Sequence, residues 1–298
     1  MSLLVTSAVS SSLAGVALPP PPQVILAMPP TFDNGYSFTA AVDDAGDVHA
    51  WGSNYHGQLN IPSGMGPVKA LATGYYHVIA LQEDGTLSAW GNNSNGQTNI
   101  PAGIGPAKAV AAGNYHTVVL LEDGSLVGMG ISVPTVDNAV YVTAWGEHGL
   151  ALLSNGTLLA FGSNSEGQLN IPAGLNEVVG LGCGREFSYA IKPDNTLVGW
   201  GSNSNGQLNV PVDLTGVIGV GGGRWHTTAL LDDGSVESWG DNSYNVVNNT
   251  PTLTNAIGIA CAGYSTLALL SDGTMVGWGD NRNSKFDFPP GFVVKIPS

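Results

Sequence analysis

The sequence predicts an all-β fold, a seven-bladed β-propeller of four-stranded antiparallel blades. Three observations predict it: a Trp-Gly mark recurs at a nearly constant spacing, short apolar runs precede each mark, and an Asp-Gly pair separates the last two runs of most units. Sequence periods of roughly 20–50 residues are typical of repeat arrays, solenoids and propellers. We therefore expect the function to lie on a repeated scaffold.

The seven marks divide the chain into seven units. Successive marks are 39 residues apart, except for one interval of 32 residues. The third unit lacks the segment GQxNxP after its mark, and the sixth and seventh units replace Gly-Gln with Asn-Val and Ser-Lys, so these blades should differ at their outer strand or loop. The marks begin at Trp51, Trp90, Met129, Phe161, Trp200, Trp239 and Trp278.

The second unit shows why each repeat is expected to be a small sheet. Its apolar runs cover residues 68–72, 77–81 and 86–90, and they are bounded by Gly, Asn and Asp, a pattern typical of strands. The pair Asp84-Gly85 predicts a tight hairpin, because glycine tolerates the positive φ that such turns require. We expect a fourth, short strand at residues 97–100, which gives a four-stranded blade.

Both chain ends suggest how the ring closes. Residues 35–51 supply the second and third strands of the first unit but not its first strand, while residues 293–296 repeat the register of residues 68–71. We expect the C-terminal strand to pair with the N-terminal blade. That pairing would remove an exposed sheet edge.

The repeat pattern GxxHxxALxxDGTLxAWGxNxxGQxNxP resembles that of the regulator of chromosome condensation superfamily over about residues 31–298. The short unit is more similar to the bacterial and phage members, including β-lactamase inhibitory protein II, than to the longer eukaryotic repeat. The resemblance implies the propeller fold. It implies no single function, because the family includes exchange factors, inhibitors, ligase-associated domains and structural proteins.

Composition excludes several partner classes. Lys and Arg number 8 against 22 Asp and Glu, so the formal net charge is −14 and the pI is near 4.4. Binding phosphates requires clustered cations, so neither nucleic acid nor an anionic membrane is an expected partner. The uncharged N-terminal segment is also too interrupted by Ser and Pro to predict membrane insertion.

No residue pattern predicts catalysis, a metal site or a cofactor. Nucleophile motifs, phosphate-binding glycine loops and paired cysteines are missing from the sequence. Cys183 and Cys261 occupy equivalent places in two units that are separated by a whole blade, so we expect two buried thiols and no disulfide. The histidines that recur thirteen residues before the mark are expected to be structural: His77, His116, His148 and His226.

Residues 1–32 are expected to form an uncharged, proline-rich arm, and residues 33–298 the propeller. Residues 19–22 are four prolines, which should make a stiff extended spacer. We expect the arm to dock on another protein; a cleaved signal or a disordered leader is the alternative. Its apolar docking residues would be Leu3, Leu4, Val5, Val24, Ile25 and Leu26.

One variable loop precedes the histidine register in every unit, and these loops must emerge on the same face. That face is rich in Tyr, Trp and Arg, residues enriched at protein-binding hot spots. The alternative is that the aromatic rings pack only against neighbouring loops. The expected partner-binding residues are Tyr36, Tyr75, Tyr76, Tyr115, Arg224, Trp225 and Tyr264.

Together these patterns favour a non-enzymatic, protein-binding or structural propeller. The expected setting is a phage virion, as a decoration, fibre or receptor-contacting protein anchored by its arm within a larger assembly. Its partners would be virion proteins or a host surface receptor. The alternative is a secreted enzyme inhibitor similar to β-lactamase inhibitory protein II.

Overall fold

The computed structural model describes residues 31–296. These residues form seven antiparallel sheets, each built from three consecutive strands. The first four sheets are β1 (Phe32–Asn34), β2 (Phe38–Val42) and β3 (Val48–Gly52); β4 (Val68–Thr73), β5 (His77–Gln82) and β6 (Leu87–Gly91); β7 (Ala107–Ala112), β8 (Thr117–Leu121) and β9 (Leu126–Met129); and β10 (Ala139–Trp145), β11 (His148–Leu153) and β12 (Leu158–Gly162). The last three sheets are β13 (Gly180–Cys183), β14 (Phe187–Ile191) and β15 (Leu197–Gly201); β16 (Val217–Gly222), β17 (His226–Leu231) and β18 (Val236–Gly240); and β19 (Ala256–Ala262), β20 (Ser265–Leu270) and β21 (Met275–Gly279).

The sheets follow one another around an axis. The first strand of each sheet contacts the first strand of the next, from β1 and β4 onward to β16 and β19, and β19 in turn contacts β1. The middle strands are almost entirely buried, because both of their faces are covered by neighbouring sheets. Their sequences are accordingly runs of apolar and small residues rather than alternating ones. This arrangement is the predicted all-β, seven-bladed propeller.

The Trp-Gly mark and the Gly-Gln pair that follows it join neighbouring sheets. The indole Nε1 of Trp90 donates to the backbone oxygen of Gln58, in the loop after the preceding sheet, at 2.9 Å. Trp200 and Trp239 repeat this bond to Gln168 and Gln207. The glycine after the tryptophan is required by the backbone: Gly91 has φ 93°, and a Cβ there would collide with the Tyr76 carbonyl oxygen.

The recurring histidines are structural, as expected. His77 Nε2 lies 2.9 Å from Thr117 Oγ1 in the next sheet, and that hydroxyl donates to the Gln97 oxygen, so the imidazole must be the donor. His148 and His226 make the same bond to Ser188 and Thr266. His116 has no such partner among the described residues, because Gly149 stands where the next sheet would supply a hydroxyl.

The expected fourth strand at residues 97–100 is not observed; this segment is a turn. Asn93 Oδ1 accepts the Thr98 amide and Asn93 Nδ2 donates to Asn99 Oδ1, while Gln97 Oε1 accepts the Asn95 amide. Because side chains already satisfy these polar groups within the loop, the loop folds on itself and does not extend along the sheet. Each described sheet therefore has three strands.

The first sheet also differs from expectation. Residues 32–34 supply its first strand, β1, so Phe32 lies in the propeller and not in the arm. The C-terminal segment adds one antiparallel bridge, between Asp43 and Val294, instead of a strand. Lys295 N donates to the Val42 oxygen at 2.8 Å, and Thr31 Oγ1 donates to the Lys295 oxygen at 2.6 Å.

A buried lysine lies between the last and first sheets. Lys285 occupies the place that glutamine holds after four of the marks, and its side chain is fully buried. Its Nζ donates to Ser265 Oγ and lies 3.3 Å from the Tyr36 oxygen. Burial lowers the pKa of Lys285 to about 7, because the charged form loses its hydration.

Candidate protein-binding face

The propeller has two chemically different faces. One, here called the loop face, carries the turns between the first and second strands of each sheet and the loops that follow the third strands. The other, the turn face, carries the Asp-Gly hairpins, where Asp84 Oδ1 accepts both the amide and the hydroxyl of Thr86. The same bonds recur at Asp123, Asp233 and Asp272, so these carboxylates shape the hairpins.

Four predicted tyrosines form one cluster on the loop face. Tyr75 lies at its centre, with ring centroids 4.6 Å from Tyr36 and 5.6 Å from Tyr115. Tyr76 packs against Tyr36 at 6.4 Å. Burial raises the pKa of Tyr75 to about 12, whereas Tyr115 is 39% exposed. The cluster is packed inside and open to solvent at its edge.

Trp145 joins this cluster, although the repeat pattern did not predict it. Its ring lies 5.8 Å from Tyr75, and its Nε1 donates to the backbone oxygen of Cys261, in the seventh sheet, at 3.1 Å. Trp145 pairs directly with His148, so the fourth sheet turns through only two residues there, and Gly146 takes φ 56°. The available signal was its register: the other units place Gly or Ala at the position of Trp145.

The remaining predicted residues form a second, cationic cluster. The Arg224 guanidinium lies 4.4 Å from the Trp225 ring and 5.6 Å from the Tyr264 ring, and the two rings are 5.7 Å apart. Two residues that the repeat pattern did not predict extend the cluster: Tyr244 packs against Tyr264 at 5.2 Å, and Arg282 lies 4.4 Å from the Tyr244 ring. Both missed residues lie in the loops that depart from the repeat.

Backbone hydrogen bonds hold neighbouring loops together. Asn114 N donates to the Gly146 oxygen at 2.7 Å, and Arg224 N donates to the Gly263 oxygen at 2.7 Å. Tyr75 N and Arg185 N make similar bonds to the following loops, at 3.3 and 3.2 Å. A partner would therefore meet a preorganised surface, which reduces the entropy lost on binding.

The structure brings the seven predicted face residues into these two clusters, and their role as a partner-binding surface stays a prediction. The rings pack against one another, yet every one of the seven side chains keeps solvent exposure. The predicted docking residues Leu3, Leu4, Val5, Val24, Ile25 and Leu26 lie outside the described residues.

The described residues offer little for other chemistry. Among residues 31–296 no group of three or more His, Cys, Asp or Glu could hold a metal ion. Cys183 and Cys261 are free and buried, and burial raises their thiol pKa values to about 12 and 11, so both thiols stay protonated. Over the same residues, no helix is long and apolar enough to cross a membrane.

Comparison with known proteins agrees with the repeat architecture. The family model described as the regulator of chromosome condensation (RCC1) repeat matches seven segments: residues 35–58, 68–97, 107–132, 141–168, 178–207, 217–245 and 256–284. A search of curated protein sequences found no significant match.

Three solved structures illustrate the shared fold. The ectodomain of the Physcomitrella patens receptor kinase CR4 has a TM-score of 0.73 at 19% identity, covering 84% of this chain and 73% of that one. Yeast RCC1 (Prp20), solved with Kap60, has a TM-score of 0.71 at 17% identity, covering 100% and 90%. The C-terminal domain of gp131 from bacteriophage phiKZ has a TM-score of 0.50 at 12% identity, covering 88% and 95%.

Proposed function

The chain belongs to the regulator of chromosome condensation repeat family, and from that premise we propose that it is a non-enzymatic propeller that binds a protein through its loop face. The observation that carries this proposal is the pair of partly exposed Tyr, Trp and Arg clusters on a hydrogen-bonded set of loops. Large aromatic residues and arginine dominate the energy of protein interfaces, because they bury much area at little entropic cost.

Structurally similar proteins support the protein-binding class. One similar structure is yeast RCC1 (Prp20) bound to Kap60, and another, Prp20p from Saccharomyces cerevisiae, is described with its binding properties to Gsp1p and histones. The acidic composition of the present chain disfavours nucleic acid as the partner. We therefore propose a protein partner for this propeller as well.

For the biological setting we propose a phage virion component, anchored through residues 1–30 in a larger assembly. Its partners would be virion proteins or a host surface receptor. The similarity to the gp131 domain of bacteriophage phiKZ supports this setting, and so does the uncharged composition of the arm. A secreted enzyme inhibitor would use the same loop face. A mature N-terminus near residue 18, found by N-terminal sequencing, would favour that alternative over the virion component.

We also propose that the C-terminal segment fastens the last blade to the first. Val294 N donates to the Gly273 oxygen of the seventh blade at 2.8 Å, and the next residue, Lys295, donates to Val42 of the first blade. Val294 and Lys295, which are adjacent in the chain, thus form hydrogen bonds to the seventh and the first blade. This role would hold the seventh blade against the first.

Replacing Tyr76, Tyr115 or Trp225 singly with Ala should weaken binding of the partner by about 1–3 kcal/mol each, the usual range for truncated hot-spot residues. Calorimetry with the partner isolated from the native assembly measures the loss. Thr196→Ala, on the turn face, is the control and should leave affinity unchanged. Full affinity in all three aromatic variants would contradict the proposal.

Deleting residues 1–30 should leave the propeller folded, because the contacts between its sheets all lie downstream. The deletion should abolish incorporation of the protein into its assembly, measured by its co-sedimentation with the purified particles. A folded deletion variant that still assembles normally would show that the arm does not dock.

A further inference from the structure

The arginines of this chain and most of its lysines lie on opposite faces. Its three arginines, Arg185, Arg224 and Arg282, all lie on the loop face. Four of its five lysines lie near the opposite face, beside the hairpins or the C-terminal bridge, and the fifth is buried Lys285. Arginine is the cation suited to planar, two-point recognition of carboxylates. The loop face therefore carries all the groups of that kind that the protein has.

Two of these arginines already have a carboxylate partner. Arg185 Nε lies 3.4 Å from Glu186 Oε1, and Arg282 Nη2 lies 2.9 Å from Asp280 Oδ2. Arg224 has none among residues 31–296, although the chain carries 22 acidic residues. Residues 1–30 contain no Asp or Glu that could supply one.

The Arg224 side chain is nevertheless held in place. The rings of Trp225 and Tyr264 lie next to the guanidinium, and its Nε is buried without an acceptor among the described residues. Leaving a buried donor unpaired costs free energy that a binding partner can recover by supplying the acceptor. Rings beside the guanidinium also lower the local polarity, which strengthens a charge-assisted hydrogen bond.

The surroundings indicate what kind of anion fits. Glu147, Glu186 and Asp241 lie on the same face, and the whole chain carries a charge of −14, so a polyanion such as nucleic acid would be repelled. A single carboxylate beside apolar side chains matches one unpaired guanidinium beside aromatic rings. Such a group is a Glu or Asp in an otherwise apolar protein segment.

We propose that Arg224 is the specificity anchor of the loop face and receives a Glu or Asp carboxylate, flanked by apolar residues, from the partner protein. This inference rests on the proposed function and adds the chemistry of the partner segment. The carboxylate oxygens accept from the guanidinium, and the flanking apolar side chains pack on Trp225 and Tyr264.

The test titrates the full chain with the peptide acetyl-Ala-Leu-Glu-Leu-Ala-amide and with its Gln counterpart, which has nearly the same shape without the charge. The readout is the indole N–H resonance of Trp225, assigned among the seven tryptophans with a Trp225→Phe variant. We expect a saturable shift with the Glu peptide and at least about tenfold weaker binding of the Gln peptide, the difference expected for a charge-assisted bond. No saturable shift, or equal affinity of the two peptides, would overturn the proposal.

Matched variants locate the site. Arg224→Gln should lose the preference for Glu while the other indole resonances stay unchanged. Lys192→Gln removes the same charge from the turn face and should bind like the wild type. An unchanged preference in Arg224→Gln would contradict the assignment.

Two further probes separate carboxylate recognition from general anion binding. Inorganic phosphate and a short single-stranded DNA should shift the Trp225 resonance less than the Glu peptide does at equal concentration. An equal or larger shift would overturn the proposal. If the peptide test fails while Ala variants of Tyr76, Tyr115 and Trp225 still lose the native partner, the carboxylate inference is wrong and the binding face stands.

Discussion

Removing residues 290–298 should lower the free energy of unfolding by about 4 kcal/mol or more. The deletion takes away Val294, which is fully buried, and Phe292, whose ring lies 4.8 Å from the Trp51 ring. Burial of a Val side chain contributes about 1.5–3 kcal/mol, and the partly buried Phe292 ring adds to that loss. The main-chain bonds to Gly273 and Val42 are lost as well. Urea denaturation followed by tryptophan fluorescence measures the change.

Two valines provide a matched control for this deletion. Val294→Ala should cost about 2 kcal/mol, because a fully buried side chain loses two methyl groups. Val212→Ala makes the same change at a position that is 99% exposed and should stay within about 0.5 kcal/mol of the wild type. If the deletion is no more destabilising than Val212→Ala, the C-terminal segment does not fasten the blades.

The protein should also lose stability steeply as the pH falls below about 6.5. Burial lowers the pKa of His77, His148 and His226 to about 3, and that of His116 to about 4, from an ordinary value of 6.5. Between these values the unfolded chain binds more protons than the folded one, so acid favours unfolding. Each histidine contributes up to about 1.4 kcal/mol per pH unit in this window. Urea midpoints measured from pH 7 to pH 4 report the slope.

One carboxyl group opposes this trend. Burial raises the pKa of Asp33 to about 6, so its contribution to stability increases as the pH falls from 6 towards 3.8. Because four histidines oppose one aspartate, the free energy of unfolding still falls as the pH falls. His116→Phe is the matched variant, because Phe38 and Phe187 fill the same register and His116 Nε2 has no partner to lose among the described residues. The urea midpoint of this variant should decline less steeply with falling pH than that of the wild type. Equal urea midpoints at pH 7 and pH 5 in the wild type would contradict this explanation.

The sequence predicted the repeated core because its determinants are local. Trp90, Gly91 and Asp84 each act within one unit or between adjacent units, so a fixed spacing is enough to reveal them. The predicted fourth strand at residues 97–100 does not form, because the Asn93 and Gln97 side chains bond polar groups of their own loop and fold it on itself.

The binding face was only partly predictable, for a related reason. Shared register placed Tyr75, Tyr115 and Trp225 on one face, which required no knowledge of distances. Trp145 reaches Cys261, 116 positions away in the chain, and a contact across the ring has no signature in a single repeat. Tyr244 takes a positive φ of 58° in a loop that lacks the Gly-Gln pair. The direction of its side chain could therefore not be inferred from the other units.

Covalent labelling of the free protein and of its native assembly tests the central claim most directly, because the two faces carry different reactive groups. Amine reagents report the turn side through Lys69, Lys108, Lys192 and Lys295, and hydroxyl-radical oxidation reports the loop face through Tyr115, Trp225 and Tyr244. Peptide mass spectrometry quantifies both. We predict that assembly protects the three aromatic residues and leaves the lysines reactive. Protection of the lysines with full oxidation of Tyr115, Trp225 and Tyr244 would contradict a binding role for the loop face.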